Sequence, residues 1–264
     1  MKHTLLSIFC LCLFLASCAN DNVSPITKKG GSVILNIDNV IGNQNLKYDT
    51  SYSIASGEKY TIKKLKYYIS NIQFMKGDGS VTTLQQDSSY FLVDESNAAS
   101  MVLSLPQVEI GKYKAVRLMI GVDSAKSMAP LEKRQGVLDM SGLGQDMYWT
   151  WNQGYIFFKM EGIYTDFSSK NDDYTYHIGG FGNNGSSLNN IKVITITLGS
   201  TECEVSEDKK LTINLIADIS KVFNGKKEIT IVDHPIITFS PFSIDIADNY
   251  AQMLSFSSLQ YSIK

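Results

Sequence analysis

Ile194-Thr195-Ile196-Thr197-Leu198 and, a little further on, Leu211-Thr212-Ile213-Asn214-Leu215 decide the fold. In both stretches apolar and polar side chains alternate strictly. A strand sends successive side chains to opposite faces, so a period of two means one buried and one wet face. Working outward, Val116, Leu118, Ile120 and Val122 repeat the pattern around Arg117. Val33-Ile34-Leu35-Asn36-Ile37 is another strand-like run, and residues 66–75 form a third, stopped by Gly77-Asp78-Gly79. These runs are rich in β-branched and aromatic residues and are separated by Gly, Asn, Asp and Ser, as strands and turns require. The expectation is an all-β fold, an antiparallel β-sandwich of immunoglobulin-like or jelly-roll-like type, with few short helices. Ser240-Pro241 ahead of residues 244–254 predicts one short amphipathic helix, and residues 220–223 predict a single helical turn.

The N-terminus reads differently. Lys2 precedes an apolar run over residues 5–15, which ends Leu15-Ala16-Ser17-Cys18. A short cationic start, an apolar stretch too short to span a bilayer and small residues at the cut describe a signal peptide. The Leu-Ala-Ser-Cys ending resembles the lipobox of bacterial lipoproteins. Residues 1–17 are therefore expected to be a lipoprotein signal peptide, with Cys18 lipidated. Residues 18–31 then form a polar tether, and residues 32–264 a single β domain. The expected location is the bacterial cell envelope, anchored in the outer membrane on its periplasmic side or at the cell surface.

Composition excludes several classes. The 24 Lys and Arg balance 26 Asp and Glu, and Lys59, Lys63, Lys64 and Lys66 alternate with apolar residues as the wet face of a strand. No basic surface for nucleic acid is expected. Cys10, Cys12 and Cys18 belong to the leader and its anchor, leaving Cys203 alone, so no internal disulfide is expected. Cys203 has no nearby His to act as a base and is read as an incidental thiol. Gly180-Phe181-Gly182-Asn183-Asn184-Gly185 spells a dinucleotide fingerprint but leads into a strand rather than a helix, and is read as a hairpin loop. Glu161, inside an apolar run, is expected either to have a raised pKa or, the favoured reading, to pair with Lys159 or a backbone donor.

Residues 147–162 hold both tryptophans, Trp149 and Trp151, beside Met147. By physics alone this segment is core or a binding platform. Several words occur in order along the chain: Lys66-Tyr67-Tyr68-Ile69-Ser70-Asn71, Gly121-Val122-Asp123-Ser124, Leu138-Asp139, the segment from Met147 to Phe157, Tyr176-His177-Ile178-Gly179-Gly180-Phe181, and Ile246-Ala247-Asp248-Asn249-Tyr250-Ala251. Together they resemble the MbnP-like family of periplasmic and surface copper-binding proteins. The resemblance implies a β-sandwich, copper held by histidines, and in some members a tryptophan oxidised to kynurenine by a di-haem peroxidase partner resembling MauG.

Carried over to this chain, the resemblance makes His177, in the matching word, a candidate copper ligand. His234 and Met147 are further metal candidates, and Trp149 and Trp151 are candidates for the modified indole. Imidazole suits copper, and thioether sulfur favours its reduced form. The family word Asp-His-x-x-Gly reads Asp38-Asn39-Val40-Ile41-Gly42 here, so Asn39 stands where the family shows a His. Two readings follow, neither with catalytic residues. The first is a non-enzymatic, lipid-anchored copper-binding protein. The second is a structural or interaction lipoprotein that keeps the fold and has lost the metal.

Overall fold

The computed structural model describes residues 30–151, 154–182 and 187–263. Alternating burial begins at once in β1 (Gly30–Ile41), where Val33, Leu35 and Ile37 turn inward. The first half of the chain continues with β2 (Gln44–Asn45), β3 (Tyr52–Ser53), β4 (Lys59–Met75), β5 (Val81–Thr83), β6 (Tyr90–Asp94), β7 (Val102–Glu109), β8 (Gly111–Tyr113) and β9 (Ala115–Ile120). A short helix, α1 (Ser124–Met128), opens the long connection to β10 (Tyr148–Trp149), β11 (Gly154–Thr165) and β12 (Asn171–Gly179). Then come β13 (Lys192–Thr197), β14 (Cys203–Val205), β15 (Lys209–Asp218), α2 (Lys221–Asn224), β16 (Ile236–Ile237), α3 (Ser243–Tyr250) and β17 (Leu254–Ile263).

Two sheets face each other. The first runs β17-β15-β1, with β2 and β7 also on β1. The second runs β13-β9-β4-β11-β12-β16, with β3, β5 and β6 on β4 and β10 on β11. The all-β sandwich with few short helices is as expected, but its sheets are mixed rather than purely antiparallel. β1 lies parallel to β15 from Ser32↔Lys210 to Val40↔Asp218, and β12 is parallel to β16. Parallel neighbours need long connections, and β1 and β15 are separated by most of the chain.

The main core lies between the sheets and contains Leu35, Ile213 and Leu215 from the first, with Tyr67, Phe158, Met160 and Tyr176 from the second. A second apolar cluster sits on the outer face of the second sheet: Tyr68, Leu138, Met147, Trp149, Tyr155, Phe157 and Phe181. Residues 121–147 roof it. Arg134 pins that roof, donating from Nε to the Ala129 carbonyl at 2.8 Å and from Nη2 to the Ser127 carbonyl at 2.8 Å, while Nη1 reaches the Tyr148 hydroxyl at 3.1 Å. Burial on both sides explains why Tyr155, Ile156, Phe157 and Phe158 run without alternation.

α3 packs Ile246, Ala247 and Tyr250 into the main core, with Tyr250 stacked 5.3 Å from Phe158. It ends earlier than the reach of residues 244–254, because the Asp218 N–H captures the Met253 carbonyl at 2.9 Å and starts β17. α2 supplies the predicted turn after Ser220. Among the described residues no helix is long and apolar enough to cross a membrane.

At Gly162, where the β11–β4 register shifts, a Cβ would stand 1.9 Å from the Thr61 carbonyl oxygen. Only the bare glycine backbone fits. Gly162→Ala is expected to lower unfolding stability by roughly 2–4 kcal/mol in denaturant titrations; an unchanged midpoint would mean the two strands separate without cost.

Candidate functional site

Where the roof stops, the outer face of the second sheet turns polar. Strand pairing puts Lys159 on β11 opposite both Lys66 on β4 and His177 on β12, and Glu161 opposite Lys64 and Thr175. Cross-strand partners share a face, so His177, Lys159, Glu161, Lys64 and Lys66 form one charged belt. Asp146, at the end of the roof, closes it. Lys159 is nearly buried and donates to the Asp146 carboxylate at 2.6 Å and to the Asp146 carbonyl at 2.8 Å. Lys64 and Lys66 each lie 3.5 Å from the same carboxylate, and Lys66 also reaches Asp94 at 3.1 Å.

His177 joins the belt through Glu161. Its Nε2 donates to Glu161 Oε1 at 2.7 Å, and Lys64 and Lys159 lie 3.6 and 3.7 Å from the same carboxylate. Burial raises the Glu161 carboxyl most, but the bond from His177 and the two lysine charges together hold it below its usual range. Burial dominates at His177 and keeps the imidazole below its usual value, more than Glu161 lifts it. The expected pairing of Glu161 with Lys159 is present, and His177 and Lys64 are partners the sequence did not reveal.

The other candidates are distributed unevenly. Met147 is fully buried in the second apolar cluster. Trp149 is 6% exposed, whereas Trp151 is 66% exposed, yet their ring centroids lie 5.4 Å apart, with Phe239 at 6.1 and 6.5 Å. β10 is too short to carry both, so Trp151 meets its neighbour from a turn. Trp149 is close to His177: a Cβ on Gly179 would stand 2.8 Å from its ring, and Gly179 lies two residues beyond His177 on the same face. That spacing is about 7 Å along a strand.

His234 is elsewhere. It lies just before Pro235, whose carbonyl accepts from the Thr175 N–H at 2.8 Å, and it stacks on Phe242 with centroids 3.7 Å apart. The parallel register of β16 places it level with Asp173, roughly 13 Å along β12 from His177. The His177 ring leans towards β11, on the other side of β12 from β16. The structure therefore brings together His177, Trp149 and the neighbourhood of Met147, but not the two imidazoles.

Asn39 is a buried residue of β1 on the main-core side. The Tyr67 hydroxyl donates to its Oδ1 at 2.7 Å, and its Nδ2 donates to Glu95 at 2.8 Å. Cys203 is buried on β14, and burial pushes its thiol up to about 11, which suits an inert side chain. Cys18, the tether and residues 183–186 of the glycine-rich loop lie outside the described residues.

A family model for MbnP matches residues 30–240. The chain belongs to the MbnP family. Among solved structures, MbnP from Methylosinus trichosporium is similar at 14% identity and a TM-score of 0.45, covering 81% of this chain and 82% of that one. No curated protein matches the chain.

Membership in the MbnP family makes copper the group to test against these side chains. A copper site built from imidazoles needs ring nitrogens converging to about 2 Å from one point. His177 spends Nε2 on Glu161, His234 faces Phe242, and Asn39 is held by Tyr67 and Glu95. Among the described residues no three His, Cys, Asp or Glu side chains converge as a metal-binding group. The residues present do not fit a copper site made of several histidines.

The depressed imidazole has a thermodynamic consequence. Below the usual value of 6.5 the unfolded chain holds a proton that folded His177 resists, so stability falls as pH drops through that value. Glu161 works in a lower window, losing its contribution as pH falls from 4.5 through its folded value. Thermal melts taken between pH 8 and about 5 should therefore show a declining Tm for the wild type and a shallower decline for His177→Gln. Parallel curves would remove His177 from the account.

Proposed function

We propose that this MbnP-family chain is a non-enzymatic, lipid-anchored protein of the bacterial cell envelope that keeps the fold as an interaction scaffold and has lost a resident copper site. The observation that carries this reading is the separation of the two imidazoles: His177 bonds Glu161 on the β11 side of β12, while His234 stacks on Phe242 beside β16. Asn39 supports it. At the position where family resemblance implies an imidazole, the amide is instead a satisfied part of the core. The envelope location and the lipid on Cys18 rest on the signal sequence and its Leu-Ala-Ser-Cys ending.

One observation favours a second reading, a copper-binding lipoprotein with His177 as its single imidazole ligand. His177 stands about two residues along the strand from the Trp149 indole, whose neighbour Trp151 is open to solvent. In that reading Trp151 is the indole that a di-haem peroxidase resembling MauG would reach first, and copper affinity is modest because one imidazole gives no chelate.

Equilibrium dialysis of the purified chain against Cu(I) and Cu(II) separates the two. The scaffold reading predicts no stoichiometric uptake and no difference between wild type and His177→Ala. One equivalent of copper bound by the wild type and lost in His177→Ala would overturn it in favour of the second. Anchoring is tested separately: Cys18→Ala should move the protein from the membrane fraction to the soluble one, and retention in the membrane would contradict the lipid.

A further inference from the structure

Strand edges are reactive features. Each leaves a row of unpaired N–H and C=O groups, and proteins blunt them with charge, proline or brevity. Most edges here are blunted in those ways. β7 contains Pro106 and Glu109, β13 starts at Lys192, and β16 is two residues long and follows Pro235. β17 is different. It forms the end of the first sheet, pairing only with β15 among the described strands, and its ten residues Leu254-Ser255-Phe256-Ser257-Ser258-Leu259-Gln260-Tyr261-Ser262-Ile263 carry neither charge nor proline.

The strand also overhangs the core. Its pairing with Leu211, Ile213 and Leu215 sets Phe256, Leu259 and Tyr261 on the inward face. Burial fades along that row, to 48% exposure at Tyr261 and 88% at Ile263. The Tyr261 hydroxyl is already fixed, accepting from the Glu204 N–H at 3.0 Å, so the row is held in place and partly uncovered.

We propose that β17 is a self-association edge, through which two copies of the chain join their first sheets antiparallel about a two-fold axis at Tyr261. The register follows from the side chains. With Tyr261 opposite its own copy, Leu259 meets Ile263 on the inward face and Gln260 meets Ser262 on the outward face. Apolar then opposes apolar and amide opposes hydroxyl, and the same pairing recurs on both sides of the axis, as an isologous contact demands. The absence of charge favours a second copy: the two strands bring no like charges together, and a strongly charged partner strand would find no counter-charge.

The test is the oligomeric state of the full chain in detergent solution, read by sedimentation velocity across a concentration series. The wild type is expected to dimerise. The double variant Gln260→Lys/Ser262→Lys sets lysine opposite lysine twice in the dimer, at positions exposed in the monomer, and should weaken association by roughly tenfold. Circular dichroism confirms that the variant folds. If it does not, Tyr261→Cys decides the question, because the two-fold register predicts a disulfide-linked dimer on mild oxidation that Ser255→Cys does not give. A wild type that stays monomeric throughout, a dimer unmoved by the lysine pair, or equal cross-linking at residues 261 and 255 would overturn the proposal.

Discussion

The central strands of the second sheet are apolar on both faces, and a sheet of that kind must be covered twice. β4 and β11 meet the first sheet on one side through Tyr67, Phe158 and Met160, and the 121–147 connection on the other through Tyr68, Tyr155 and Phe157. The second covering does not reach the whole sheet. Beyond its edge β11 switches to Lys159 and Glu161, and the site lies on that boundary. Lys159 shows what the boundary demands: a nearly buried ammonium loses several kcal/mol of hydration, which the Asp146 carboxylate and carbonyl must offset. The same contact ties the roof to the sheet.

The chemistry of the candidate site follows from that location. His177 is half-sheltered beside a carboxylate that three cationic or imidazole groups share, so its ring is oriented through Nε2. Trp149 closes the apolar side of the boundary and Trp151 continues it to solvent. Asn39 belongs to the opposite side of the sheet, where Tyr67 and Glu95 hold it, so an imidazole placed there would face the main core and not His177. Family membership fixes the architecture, while these local contacts decide what the site can hold.

Much of this was legible in the sequence because period-two patterns are local. The strands around Leu35, Leu118, Ile196 and Ile213 followed from alternation alone. The parallel pairing of β1 with β15 did not, because register between distant strands leaves no local trace. β11 concealed its position for a related reason: doubly buried strands do not alternate, so Tyr155 to Phe158 read as core without saying which layers enclose it. The charged belt leaves only half of its signal in the sequence. Lys64 and Lys66 on one strand, and Lys159 and Glu161 on another, alternate at the same period, yet only pairing shows that they face each other. The separation of His177 from His234 is likewise a property of the β12–β16 register and not of the residues themselves.

The bond between His177 and Glu161 is the contact that ties the imidazole into the charged belt, and the imidazole reports on it directly. An NMR pH titration of the His177 ring in the wild type and in Glu161→Gln measures it. Because the carboxylate favours the imidazolium, its loss should move the His177 midpoint to lower pH. Superimposable His177 titrations in the two proteins would show that the ring is free of Glu161 and contradict the belt.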